Sequence, residues 1–144
     1  MARLWLYWLP AVATMAMIAF VSHRPLPAIA GGPPDWLLHG IEYAFLSATC
    51  VYGATRGFDA PYRDRRQIVV GVMVATLYGA IDEWHQGFVP ARDMSLTDWI
   101  ADAVGAILTG VALMLLWQLY KRVDSKKPVG PKASPGSGDL TPFP

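Results

Sequence analysis

Four apolar runs, separated by short stretches rich in proline, glycine or charge, set the pattern of this chain. The first, Leu4 to Val21, holds no charged residue, and its 18 residues at about 1.5 Å of helical rise each are just enough to cross a bilayer core. Pro10 lies inside it and predicts a kink, which a membrane helix tolerates. The second run, roughly Asp35 to Thr55, is apolar apart from His39 and Glu42. The third begins near Ile68, stays apolar to Ile81, and reaches spanning length by continuing through Asp82, Glu83, Trp84 and His85. The fourth, Trp99 to Tyr120, is broken only by Asp102 and Gln118. The pattern predicts an all-α protein, a four-helix transmembrane bundle with helices over 4–21, 35–55, 68–85 and 99–120.

The intervening segments read as loops. Ser22 to Pro34 contains Pro25, Pro27, Pro33, Pro34 and the Gly31-Gly32 pair, Gly53 to Gln67 is basic, and Gly87 to Thr97 is turn-rich around Pro90. Ser95 with Asp98 fits a capping box that opens the fourth helix. From Lys121 the chain turns basic and rich in Pro, Gly and Ser, which predicts a disordered tail over 121–144. No internal repeat is visible.

Composition agrees with a lipid solvent. The chain is 53% hydrophobic and 16% charged, whereas soluble domains carry about a quarter charged residues. The net charge of +1 makes no case for a nucleic-acid partner. Cys50 is the single cysteine, so no internal disulfide can form. A cleaved signal peptide competes for the first run, with Arg3 as its basic start and Ala28-Ile29-Ala30 as a cleavage site. The length of the run and its Trp5 and Trp8 favour a retained span.

Charge placement orients the bundle. With four spans, Arg3, the arginines 56, 63, 65 and 66 and the five basic residues of the tail put ten cations on one side, against Arg24 and Arg92 on the other. Cations collect in the cytoplasm, so both termini are expected inside and the segments around Gly31 and Pro90 outside. Asp35, Glu42, Asp82, Glu83, Asp93, Asp98, Asp102 and the three histidines, His23, His39 and His85, all fall near the outer helix ends.

Spacing gathers these groups into stripes. Asp35, His39 and Glu42 stand at i, i+4, i+7 on the second helix. Tyr78, Asp82 and His85 repeat that spacing on the third, with Glu83 and Gln86 beside them. Asp98, Asp102, Gly105 and Thr109 form a stripe on the fourth. A carboxylate facing lipid costs about 3 kcal/mol or more, so the stripes are expected to turn inward around an outward-opening polar pocket, with Ala101, Gly105 and Thr109 allowing close approach. Singly, each group has a packing role available: Glu42 and Asp102 as helix glue, His39 as a core histidine, Asp98 as a cap, Arg92 as an interfacial anchor. Together they exceed what holding helices requires. His39, His85 and the carboxylates have the donor chemistry of metal ligands, but Asp82-Glu83-Trp84-His85 is not an H-E-x-x-H arrangement and there is no cysteine pair, so the spacing assigns no metal. Ser47 and Ser95 lack a nucleophile context, no phosphate-cradling glycine loop is present, and no cofactor can be named.

The stretch Tyr78-Gly79, Asp82-Glu83, Gln86, Pro90, Arg92, Ser95, Asp98, Gly105-Ala106 resembles the VanZ-like family of bacterial membrane proteins. Asp35, His39 and Tyr43 resemble that family's D-K-x-x-H-x-x-x-Y element, and Ser22-His23-Arg24-Pro25 its S-x-x-P exit from the first helix. The likeness covers roughly residues 4 to 120. Trp36 stands where the family has lysine, and Asp102 where it has asparagine, which adds a negative charge if ionised. The resemblance implies a multi-pass protein of the bacterial inner membrane, and by analogy a link to glycopeptide (teicoplanin) resistance.

The expected role is binding of an envelope amphiphile, whether a lipid-linked cell-wall precursor, a phospholipid or a lipoglycopeptide. Asp35, His39, Glu42, Tyr43, Tyr78, Asp82, Glu83, Gln86, Arg92, Asp98 and Asp102 would line the site, with Arg92 pairing an anionic group. An intramembrane enzyme is the second reading, with Glu83 or Asp98 as base and His39 or His85 as acid partner. A structural subunit of a larger membrane complex is the third, and homo-oligomerisation would suit any of them.

Overall fold

A computed structural model describes residues 3–24, 32–59 and 64–125. Over these residues the chain is all-helical, with four α-helices and no strand. A 3₁₀ turn, Leu4–Trp8, leads into α1, Leu9–Ser22. Then come α2, Asp35–Ala54, α3, Arg65–Gln86, and α4, Leu96–Asp124. The cleavage-like segment 28–30, Arg63 and the tail from 126 onward lie outside the described residues.

Local chemistry explains where the helices start and stop. Pro10 does not kink the interior of a helix but occupies the first turn of α1, where its missing N–H has no partner to lose. The preceding residues wind as the 3₁₀ turn instead. Asp64 caps α3 by accepting the Gln67 N–H at 2.9 Å, so that helix begins three residues before the apolar run. Ser95 caps α4 through the Asp98 N–H at 3.2 Å, which adds Leu96 to Asp98 to the expected helix. At its far end α4 continues past Tyr120 to Asp124, with Lys121 and Arg122 in the last turn, where cations offset the helix dipole. α2 ends at Thr55, whose hydroxyl donates to the Val51 carbonyl at 2.6 Å. Arg56, Gly57 and Phe58 then turn the chain with φ values of 51°, 80° and 61°.

α2 is the central element and packs on all the others. Small residues set the spacing. A Cβ on Gly105 of α4 would collide with the Gly40 carbonyl of α2, and one on Gly71 of α3 would come within 2.6 Å of the Val51 nitrogen. Hydroxyls supply hydrogen bonds across the same seams: Ser47 donates to the Ala106 carbonyl at 3.0 Å and Thr109 to the Ala44 carbonyl at 3.1 Å. Ala11, Ile18, Tyr43, Leu46, Cys50, Ala75 and Ala106 form the buried apolar core.

The polarity of the molecule is inverted. Leu77, Trp84, Ile41 and Leu108 are each about 60% exposed, while Asp82, Glu83, Gln86 and Asp102 are buried. Two segments, Leu4–Ser22 and Leu96–Asp124, are long and apolar enough to cross a membrane, and only 17% and 22% of their apolar windows are buried. A core helix of a soluble protein would be mostly buried. α2 and α3 match them in length, at 20 and 22 residues, but carry His39, Glu42, Asp82 and Glu83 within their span.

Candidate functional site

The buried ionisable residues His39, Asp82, Glu83 and Asp102, with Ser22 and Gln86, meet at one end of the bundle, where α1 and α3 finish and α2 and α4 begin. The basic residues Arg65, Arg66, Lys121 and Arg122 lie at the opposite end, in the first turn of α3 and the last of α4. On α3 the inward face runs Gly71, Ala75, Gly79, Asp82, Glu83, Gln86, a helical stripe at intervals of three and four. It begins as small residues that admit α2 and ends as three polar side chains. On α4, Asp102, Gly105, Ala106 and Gly110 make the corresponding stripe.

His39 is the centre of the cluster. Its Nδ1 lies 3.1 Å from Asp102 Oδ1 and 3.7 Å from Glu83 Oε1. Three helices thus contribute one buried ionisable group each, with exposures of 7%, 0% and 3% for His39, Asp102 and Glu83. Glu83 Oε2 turns the other way and accepts the Ser95 N–H at 2.8 Å. Gln86 Nε2 is shared between Asp82 Oδ2, at 3.1 Å, and Glu83 Oε1, at 3.4 Å. Asp82 Oδ2 also accepts the Ser22 hydroxyl at 2.9 Å, which ties the end of α1 into the network.

Two buried oxygens, Asp102 Oδ2 and the Tyr43 hydroxyl, have no hydrogen-bond partner among the described residues. Both side chains are fully buried. They flank the same notch: a Cβ on Gly79 would come within 3.0 Å of Asp102 Oδ2 and 3.1 Å of the Tyr43 ring. Buried polar atoms left without partners are uncommon in folded proteins, and each costs about 1–3 kcal/mol.

Around this centre the remaining expected residues divide. Glu42 is half-buried on α2, within electrostatic range of His39, Asp82, Asp102 and Arg92. Asp35, exposed, and Asp98, half-buried, border the cluster: one ligand atom from each falls within 4.8 Å of a His39 ring nitrogen. Arg92 is half-buried and donates from Nε to the Arg24 carbonyl at 3.4 Å. Tyr78, its ring 6.4 Å from that of Tyr43, and His85 turn toward α1. The Tyr78 hydroxyl donates to the Met15 carbonyl of α1 at 2.7 Å. His85 is exposed, with its Nε2 3.3 Å from His23 Nδ1 and the two rings stacked 5.5 Å apart. Tyr78, Asp82 and His85 share the side of α3 that faces α1, and of the three Asp82 is the one joined to the cluster, through Gln86.

Ser22, Gly79 and the Ser95 backbone join the residues expected to line the site; all three stand in the stretches that resemble the VanZ-like family. Ser22 had a signal: Ala11, Thr14, Ile18 and Ser22 are the buried positions of α1, and their spacing marks an inward stripe that carries two hydroxyls. Gly79 is conspicuous in the sequence only as part of the Tyr78-Gly79 pair, and its structural reason is what a side chain there would strike.

On the α2–α4 side, next to Gly40 and Ala101, an apolar groove of about 500 Å³ is lined by Trp36, Leu37, Ile41, Ala44, Val104 and Leu108 among others. It flanks the same end of the bundle as the cluster. No protein-family model, curated protein or solved structure matches the chain.

Proposed function

We propose that this chain is a four-span protein of the bacterial inner membrane that binds the polar group of an envelope amphiphile at its extracytoplasmic end. The membrane reading is supported by the inverted polarity: large apolar side chains point outward on every helix while carboxylates are buried. Lipid stabilises that arrangement and water does not. α2 and α3 are read as spans because their polar groups turn inward, as ionisable residues at membrane depth must. The gathering of basic residues at the opposite end supports cytoplasmic termini.

The observation that carries the binding reading is the pair of partnerless buried oxygens, Asp102 Oδ2 and Tyr43 OH. Evolved cores rarely keep such atoms unless something else satisfies them. A ligand headgroup entering past Asp35 and Asp98 would do so, with its acyl chain along the neighbouring α2–α4 groove. The VanZ-like resemblance is in keeping with this reading, since Glu83, Gln86, Ser95 and Asp98, four residues of the resembling stretch, are linked in one network. Lipid-linked precursors, phospholipids and lipoglycopeptides of the teicoplanin class all combine a polar head with an apolar tail.

Lipid analysis of the purified protein beside Glu83→Gln tests the reading. One amphiphile enriched with the wild type and depleted in the variant is the expected outcome. Identical lipid profiles from two equally folded preparations would remove the proposal. An intramembrane hydrolase or transferase is a second reading, favoured by the His39–Asp102 contact at 3.1 Å. It requires turnover of the bound amphiphile that His39→Gln abolishes without releasing the amphiphile.

A further inference from the structure

The geometry points to a first-row divalent metal ion held between His39 Nδ1, Glu83 Oε1 and Asp102 Oδ1. One ligand atom from each of these residues lies within 4.8 Å of the other two. The measured edges, 3.1 Å from the imidazole nitrogen to Asp102 and 3.7 Å to Glu83, bracket what coordination demands. With metal–ligand bonds of about 2.0–2.2 Å, neighbouring donors sit roughly 3.0 Å apart at right angles and about 3.5 Å apart at the tetrahedral angle. Each ligand comes from a different helix, so the pocket is shaped by tertiary packing and not by a local sequence motif. This is why the chain lacks a recognisable metal spacing.

Charge gives an independent reason. Asp82, Glu83 and Asp102 are buried together, and among the described residues only His39 forms an ion pair with any of them. Asp82 has neutral donors, from Ser22 and Gln86. Glu83 has the Ser95 N–H on its far oxygen. A proton on His39 Nδ1 can bond Asp102 Oδ1, but it leaves Glu83 Oε1 with only the 3.4 Å contact to Gln86. A divalent cation satisfies all three atoms at once and offsets the negative excess that burial makes costly.

The surroundings suit a metal. Ser95 and Gln86 hold Glu83 in orientation, as outer hydrogen bonds do for ligating carboxylates. Asp102 Oδ2, the second oxygen of one proposed ligand, and the Tyr43 hydroxyl are both buried without a partner among the described residues. The Tyr43 hydroxyl feels both Asp82 and Asp102 electrostatically. One imidazole with two carboxylates selects zinc, manganese or ferrous iron over the softer thiolate-seeking metals. Resting on the amphiphile reading, a bound cation would also turn an acid-lined pocket into one that takes a phosphate-bearing headgroup.

The test uses the full chain in detergent micelles, with any affinity tag removed, stripped by chelator and dialysed. Co²⁺ is added alone and followed by its visible d–d absorption, and Zn²⁺ by elemental analysis after desalting. The expected result is one ion per chain, with affinity reduced more than about 100-fold in His39→Gln and in Asp102→Asn. His85→Ala, which alters only the exposed pair with His23, should bind as the wild type does. Glu83→Gln serves where either first variant fails to fold. No retained metal in the wild type would overturn the proposal, as would unchanged affinity in a folded ligand variant. Loss of binding in His85→Ala would also overturn it, since the ion would then sit on the exposed histidine pair. Because metal is the only probe, its failure leaves the lipid comparison to stand or fall separately.

Discussion

Glu83 Oε2 accepts the backbone N–H of Ser95 at 2.8 Å, across the turn that joins α3 to α4. In a capping box, that N–H is bound by the side chain three residues into the same helix. Here Asp98 stands at that position, yet the reciprocal bond comes from the preceding helix. The Ser95 hydroxyl still caps the Asp98 N–H, so one residue fastens both helices at the site. Glu83 therefore has two tasks, one oxygen fixing the α3–α4 corner and the other facing His39.

Removing that acceptor should loosen the corner. Glu83→Ala leaves a half-buried N–H without a partner, a loss of about 1–3 kcal/mol. Glu83→Gln keeps a carbonyl oxygen in place and should lose less. Denaturant unfolding in micelles reads both, and an alanine variant as stable as the wild type would contradict the role assigned to this bond.

Much of this arrangement is legible in the sequence, and the parts that are not have physical reasons. The apolar runs locate all four helices because each helix carries large apolar side chains on its exposed side as well as in the core. The depth of His39, Glu83 and Asp102 follows from their positions in those runs. The spacing of Tyr78, Asp82 and His85 places them on one side of α3, as the structure has them, but a stripe at i, i+4, i+7 does not reveal which neighbour it faces, and this one faces α1. Ser22 was obscure because a hydroxyl at the end of an apolar run looks like the start of a loop. Helix ends shifted by several residues wherever a cap such as Asp64, or a final basic turn, extended the helix beyond its apolar core.

The closest backbone approach should be the least forgiving of added volume. Gly105→Ala drives a methyl into the Gly40 carbonyl, and overpacking of this kind costs about 1–3 kcal/mol. Leu108→Ala, on the outward face three residues later, should cost far less in micelles. Equal stability for the two variants, measured by thermal unfolding, would mean that α2 and α4 do not pack as described.

Asp102 separates charge from shape. Asp102→Asn is nearly isosteric and keeps an amide that can hydrogen-bond His39 Nδ1, so its stability should stay within about 1 kcal/mol of the wild type. Asp102→Ala opens a cavity and strips His39 of its partner, with an expected loss of about 2–4 kcal/mol. A severely destabilised asparagine variant would show that the carboxylate's charge holds the fold together.

Ser22→Ala tests the tie to α1. The hydroxyl donates to Asp82 at 2.9 Å, and bonds to charged acceptors contribute about 1.5–3 kcal/mol. Greater protease or hydrogen-exchange access at the end of α1 is expected. Unchanged protection there would exclude Ser22 from the network.

The proposed placement of the cluster on the outer side of a membrane is tested directly with single cysteines at Asp93 and Asp59, exposed residues at opposite ends of the bundle. Cys50 is buried and gives little background. In spheroplasts, a membrane-impermeant maleimide should label Asp93→Cys at once and Asp59→Cys only after permeabilisation. The reverse pattern, or labelling of both in intact spheroplasts, would contradict an extracytoplasmic site in a four-span protein.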